Sequence, residues 1–395
     1  MPLSDNSQFL VTTLQALPLL DGRFKNIKLV NFNSLNNQKR GNFSLVFSAH
    51  DIIEDVTVAL KFYDIREELI NNDYRLACFR REHAILQVMM NKNRCLQLVS
   101  PLSTYSLVIQ TGHGRPIKFP CEYFAVEWIE EDIDEFFFLQ ENIDSINKLH
   151  LFNELTLAVE ALHRQEIFHR DLKQDNFKQY QEAVKRIVVA IDLGTAARYD
   201  SGKIQQDYQY QVGHSSYAAP ETFYGLAGHR KLAPYTDCYA LGCMLYELFN
   251  RDFFIHAWHV SNPRGHMIRS VMGIELQGKI ADSDRLKAWN LALRKYSFGF
   301  EPVRIDGLGS SVPKGIASIL NDVIRSLTHV DFSYRPINLE WVRIRIWAAI
   351  NTLQNEKLYQ KKLAAAKEMR SRRIEKQIQK ESALRRRIAD KSSSC

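Results

Sequence analysis

His169-Arg170-Asp171-Leu172-Lys173-Gln174-Asp175-Asn176, with Asp192-Leu193-Gly194 a short distance downstream, is the stretch on which the reading of this chain turns. It packs carboxylates, amides and cations around the single apolar Leu172, a composition suited to a loop that does chemistry or faces water. Just before it, Leu151, Leu155, Val159 and Leu162 recur at helical spacing. Just after it, residues 177 to 191 read as a hairpin-like pair of strands that delivers Asp192 back toward the loop.

Working outward, the chain changes texture at about Trp128. From Phe24 to Trp128 it reads mostly as strands, with Val56, Val58 and Leu60 alternating and β-formers dense over 98 to 109 and 123 to 128. One amphipathic helix interrupts them over 73 to 90, carrying Leu76, Phe79, Ile85, Leu86 and Met89. Beyond Trp128 the pattern is mostly helical, with Pro and Gly punctuation over 237 to 353. The expected class is α+β, a small β-rich part ahead of a larger α-rich one. At 395 residues, 45% apolar and 25% charged, the composition excludes a disordered or fibrous chain. The run Cys238–Phe249 is too short for a membrane span and contains Glu247. No Lys or Arg precedes the apolar Phe9–Leu20, so a secretory signal is not expected and the cytoplasm is the expected location. Six cysteines and 12 histidines show no metal-ligand spacing.

The quoted loop and Asp192 resemble the catalytic and magnesium loops of the eukaryotic-type (Hanks-type) protein kinases. That resemblance implies a bilobal kinase fold and a Ser/Thr kinase using ATP and Mg²⁺, with Mn²⁺ as an alternative. Phosphoryl transfer is mostly positioning and charge neutralisation, so it needs metal-binding oxygens, a base for the hydroxyl and cations on the phosphate. By resemblance, Asp171 would take the hydroxyl proton, Lys173 would touch the transferred phosphate, and Asn176 and Asp192 would hold the metal. Val58-Ala59-Leu60-Lys61 is similar to the family's third-strand motif, making Lys61 the ligand of the α and β phosphates and Glu82 its partner. The ATP site would then comprise Gly41, Val46, Ala59, Lys61 and the connecting residues Val126, Glu127 and Trp128. Ala219-Pro220-Glu221 resembles the end of the activation segment, Asp237 to Gly242 the helix anchoring the catalytic loop, and Arg335 the partner of Glu221. The implied layout is an N-terminal extension over 1–24, an N-lobe over 25–128, a C-lobe over 129–354 with an insertion at about 250–312, and a tail over 355–395.

Four departures stand out. The glycine-rich loop reads Lys39-Arg40-Gly41-Asn42-Phe43-Ser44-Leu45-Val46 and keeps only the middle glycine, with Lys39 and Arg40 expected to add positive charge near phosphate. Lys178 stands where an apolar residue usually lies under the adenine, so either its alkyl stem or Phe177 is expected there. His214 replaces the threonine that contacts the catalytic aspartate, leaving Ser215 or Ser216 as substitutes. The stretch from Gly242 to Arg335 is long and is read as extra helices near the substrate-docking surface. Arg170 before Asp171 implies a phosphate on the activation segment, with Ser201, Tyr208, Tyr210, Ser215 and Ser216 as candidates.

An active kinase with protein substrates and autophosphorylation is the leading reading. The alternatives are a pseudokinase scaffold with weakened ATP binding and a small-molecule phosphotransferase. Residues 355–395 hold 13 Lys or Arg against 5 Asp or Glu, while the rest of the chain holds 39 against 40. Free of Pro and Gly from Glu356 to Lys391, this tail is expected to form an exposed helix. Two readings of it stand: a solvated helix without a partner, or an arm for an acidic partner such as nucleic acid, a protein surface or anionic lipid. No aromatic follows Tyr359, and Leu363, Ile374, Ile378, Leu384 and Ile388 are too irregular for a heptad seam.

Overall fold

The computed structural model describes residues 2–41, 44–70, 72–109, 116–138, 143–183, 185–198 and 213–392. Near the N-terminus, helix α1 (Asp5–Ala16) is capped by the Ser4 side chain, which accepts the Ser7 N–H at 3.2 Å. Five strands follow, β1 (Phe24–Leu29), β2 (Ser44–Asp51), β3 (Val56–Tyr63), β4 (Ser103–Ile109) and β5 (Ile117–Glu127), forming one antiparallel sheet in the order β1-β2-β3-β5-β4. Helix α2 (Asp73–Met89) lies between β3 and β4 in sequence.

The sheet is covered on both faces, and period-two alternation assigns each residue to one of them. Leu45, Phe47, Val58, Leu60, Phe62, Tyr123 and Ala125 belong to one buried cluster with Leu10, Val11 and Leu14 of α1. Their neighbours Ala59, Tyr63, Phe124 and Val126 belong to a second cluster with Phe79, Ile85 and Leu86 of α2. The helix within the first 24 residues covers the far face of the sheet, with Leu10 and Leu14 fully buried.

The second cluster continues into the helical part, where α3 (Ser145–His163) is buried nearly all round and leads to the hairpin β6 (Phe177–Glu182) and β7 (Lys185–Ala190). Helix α4 (Ala233–Glu247) crosses α8 (Ala317–Leu327) so closely that a Cβ on Gly242 would lie 2.5 Å from Thr328 Cγ2 and 2.8 Å from Leu327 Cβ. Only glycine fits that crossing. Between them come α5 (Phe254–Ser261), α6 (Gly265–Leu276) and α7 (Asp282–Tyr296), the last two wrapped with Leu226 and Leu232 around a fully buried Trp289. Helix α9 (Glu340–Ser392) begins in the core through Val342, Ile346, Ala349, Ile350 and Leu353, after which every side chain from Gln354 to Lys376 is exposed. No helix among the described residues is long and apolar enough to cross a membrane.

Candidate active site

Strand β3 and helix α2 deliver the first pair. Lys61 Nζ lies 2.7 Å from Glu82 Oε1 and 2.8 Å from Oε2, and 3.6 Å from Asp192 Oδ1. Burial works against the Lys61 cation, but the Glu82 and Asp192 carboxylates outweigh it and raise the lysine pKa. Glu82 also accepts the Leu193 N–H at 3.3 Å, so one carboxylate joins strand, helix and the segment carrying Asp192. Asp192 itself has φ of +61°, in the left-handed region that a short polar residue tolerates.

The quoted loop is held from beneath by Asp237 of α4. Its two carboxylate oxygens accept the His169 and Arg170 N–H groups, each at 2.8 Å, and His163 Nε2 lies 2.9 Å away. His169 completes the frame: Nε2 donates to Ile191 O at 2.8 Å while Nδ1 accepts the Asp171 N–H at 3.3 Å. Asn176 Nδ2 donates to Asp171 O at 2.6 Å and to Asp171 Oδ2 at 3.4 Å, which spends the amide hydrogens on the loop and leaves the amide oxygen to ligate a cation. Burial, the largest influence, pushes the Asp171 carboxyl above its ordinary value, with Lys173 and His169 opposing. Lys173 sits 3.6 Å from Asp175, a partly exposed pairing that leaves its head free to reach substrate.

These groups converge on a cleft of about 500 Å³ lined by Val46, Ala59, Val126, Lys61, Asn176 and Asp192. Gly41, Glu127, Trp128 and Lys173 also line it. Glu127 turns its side chain into the fold, accepting the Gln97 N–H at 2.9 Å, and its own N–H donates to Gln97 O at 3.0 Å. Among the described residues no three His, Cys, Asp or Glu side chains gather into a metal cage. The amide oxygen of Asn176 and the carboxylate of Asp192 suit a hard cation that shares its shell with phosphate oxygens and water, the habit of Mg²⁺.

The departures resolve physically. Lys39 does not add charge at the phosphate side: its ammonium is wholly buried, 2.6 Å from Asp64 Oδ2. Neither Ser215 nor Ser216 replaces the missing threonine, because the His214 backbone N–H donates to Asp171 Oδ1 at 2.8 Å. Gly213 permits this, with φ of +88° and no room for a Cβ, which would fall 2.6 Å from Arg170 O. Lys178 lines the cleft and pairs with Asp132 at 2.7 Å across strand neighbours, while Phe177 is buried in the core. Of the candidate phosphosites, Ser215 is exposed and Ser216 partly so; Ser201, Tyr208 and Tyr210 lie outside the described residues. Asn31 was not anticipated. Its amide donates to Arg40 O at 2.8 Å and Ser44 O at 3.0 Å and accepts the Val46 N–H at 2.9 Å, bracing the loop above the cleft. An isolated asparagine amid Asn33, Asn36 and Asn37 carries no sequence signal for that role.

The Glu221 carboxylate and Arg335 guanidinium pair bidentately at 2.6 and 3.0 Å with both side chains fully buried. A curled sheet above a helical body, a lysine–glutamate pair spanning strand and helix, and two carboxylate-bearing loops meeting between them define the bilobal protein-kinase fold. The family model described as the protein kinase domain matches residues 37–343, and the chain belongs to that family. It is 28% identical over 212 residues to the "Probable serine/threonine-protein kinase PknB" of Bifidobacterium longum, covering 53% of this chain and 28% of that protein. It is 26% identical over 244 residues to the "Serine/threonine-protein kinase PknD" of Chlamydia muridarum, covering 54% of this chain and 24% of that protein. A match to the "CTD kinase subunit alpha" of Saccharomyces cerevisiae is 30% identical over 130 residues, 33% of this chain and 23% of that protein. The matched region thus spans about a quarter of the length of these relatives.

Proposed function

We propose that the protein transfers the γ-phosphoryl group of ATP to Ser or Thr hydroxyls of protein substrates, its own chain included. The observation that carries this reading is the meeting of Lys61, Asp192 and Asn176 on one cleft, with Glu82 fixing the first two and Asn176 bonded to the backbone of Asp171 at the cleft's edge. Lys61 binds the α and β phosphates, and Glu82, buried behind it, positions its ammonium. Asp171, its carboxyl raised by burial, orients the attacking hydroxyl and takes its proton, while the His214 N–H holds one of its oxygens in place. Lys173 neutralises charge on the phosphoryl oxygens in flight. Asn176 and Asp192 would hold Mg²⁺, which when bound would neutralise the phosphate oxygens of the nucleotide. The Ser/Thr preference is supported by the relatives, which are serine/threonine-protein kinases by name, and by Lys173 two residues after Asp171.

The intact lysine–glutamate pair and both metal-side oxygens weigh against a scaffold that has lost catalysis. The exposed basic face of α9 is read as a surface for an anionic partner, and the five buried, unbridged cysteines among the described residues fit a cytosolic setting. Incubation with labelled ATP, Mg²⁺ and casein tests the central reading: wild-type protein incorporates label, and Asp171→Asn lowers incorporation by about a hundredfold or more. Absence of label with wild-type protein would overturn it in favour of a binding module.

A further inference from the structure

Lys39 is the one residue of the loop between β1 and β2 whose charged head is withdrawn from both solvent and cleft. The loop carries Arg40, Gly41 and Ser44 along the roof of the cleft, and it lacks the glycines that would let backbone settle closely onto phosphate. Beneath the roof, Lys39 Nζ binds Asp64 Oδ2 at 2.6 Å and the carbonyl of Ser44 at 3.2 Å, so one ammonium joins both flanks of Gly41. Asp64 follows β3 directly, three residues after Lys61. Its second oxygen, Oδ1, accepts the hydroxyl of Ser7 on α1 at 2.6 Å, and Arg66 adds Nε and a terminal nitrogen to Oδ2 at 3.0 and 2.8 Å. Ser7 and Asp64 are fully buried and Lys39 nearly so.

We propose that Lys39 is a positioning residue for the nucleotide: the chain Ser7, Asp64, Lys39 ties helix α1 and the end of β3 to the roof loop and sets its height over the triphosphate. A buried ion pair thereby fixes the position of a loop that carries only one glycine. Buried charges with their hydrogen bonds filled keep one geometry, because any displacement leaves a desolvated charge unmatched. Burial alone would raise the Asp64 carboxyl, but Lys39, Ser7 and Arg66 together hold it below its ordinary range, so the anchor stays anionic. Helix α1, outside the family segment, becomes part of the nucleotide site without touching it.

This proposal rests on the kinase reading, and its test separates the two. Full-length wild type, Lys39→Met and Ser7→Ala are compared by hydrogen exchange of residues 30–46 without nucleotide, and by steady-state kinetics with MgATP and casein. The expected result is faster exchange in that loop for both variants while β3 stays protected. Lys39→Met raises the KM for ATP about tenfold, with kcat within about twofold and the KM for casein unchanged, and Ser7→Ala shifts the same parameter less. Unchanged exchange in Lys39→Met, or loosened exchange with an unchanged ATP KM, overturns the proposal. So does a fall in kcat alone. If Lys39→Met does not fold, Ser7→Ala decides by the same two readouts. If wild-type protein turns over no ATP, the kinase reading falls, and the exchange measurement by itself upholds or overturns the tie between α1 and the loop.

Discussion

Replacing Glu247 with glutamine should remove a pH dependence of stability that the wild-type protein carries between about pH 4.5 and 7. Glu247, at the end of α4, is buried, and burial pushes its carboxyl from 4.5 up to about 7. The phenol of Tyr217 lies 2.6 Å from Glu247 Oε2 and 2.5 Å from Gln174 Oε1. A phenol has one hydrogen for these two acceptors. A neutral Glu247 resolves the shortage by donating to Tyr217, which then donates to Gln174 of the catalytic loop. Between the two values the folded protein binds more protons than the unfolded chain, so stability is full below about pH 4.5, falls as pH rises, and levels off above 7. A displacement of this size is worth roughly 3 kcal/mol. Urea unfolding followed by tryptophan fluorescence from pH 5 to 8 should show the stability of Glu247→Gln rising relative to wild type by about 2 to 3 kcal/mol across that range. Parallel curves for the two proteins would refute the argument, because they would place the Glu247 proton equally in both states.

Further outcomes follow from the same geometry. Asp192→Ala should abolish phosphotransfer with little change in thermal unfolding, since the residue is partly exposed and Lys61 keeps its bond to Glu82; retained autophosphorylation would show that another group holds the metal. Lys61→Met should lose activity as severely, and unaltered turnover would show that another group holds the phosphates. Arg335→Met strands the buried Glu221 carboxylate and should cost about 3 to 5 kcal/mol in urea unfolding; a loss under about 1 kcal/mol would contradict the burial of the pair. A chain ending at Asn355 should bind duplex DNA, RNA and acidic vesicles more weakly than the full chain, with a shallower salt dependence. Identical behaviour on every surface would make the basic tail a solvated extension.

The stretch proposed as catalytic was legible because its residues are local: Asp171, Lys173 and Asn176 lie within six residues, and the hairpin that returns Asp192 is short. Lys61 and Glu82 were legible through the strand and helix that carry them. What could not be read was direction. Lys39 was expected to add charge near phosphate, but whether its head turned that way or inward depended on Asp64, 25 residues away. Lys178 likewise takes its partner, Asp132, from a strand neighbour distant in sequence. The lid role of α1 did have a signal. Leu45-Val46-Phe47 and Val58-Ala59-Leu60 are apolar at both parities, the mark of strands buried on two faces, and a second cover had to come from somewhere in the chain. The threonine substitute eluded sequence reading because the group that contacts Asp171 is a backbone N–H, which every residue but proline offers.

The segment matched by the family, residues 37–343, is smaller than the unit that folds. Trimming the chain to it would remove β1, an edge of the sheet, and the whole of α1. Strand β2 would become a new, unpaired border, and Leu45, Phe47, Leu60 and Phe62 would lose their cover on the outer face. At the other end the cut would take Ile346, Ala349, Ile350 and Leu353 out of the helical body. Such a fragment would display open strand hydrogen-bonding groups beside bare apolar surface, the combination that recruits neighbouring molecules into aggregates. Insolubility on trimming would therefore report the loss of these two flanks and carry no information about the catalytic cleft.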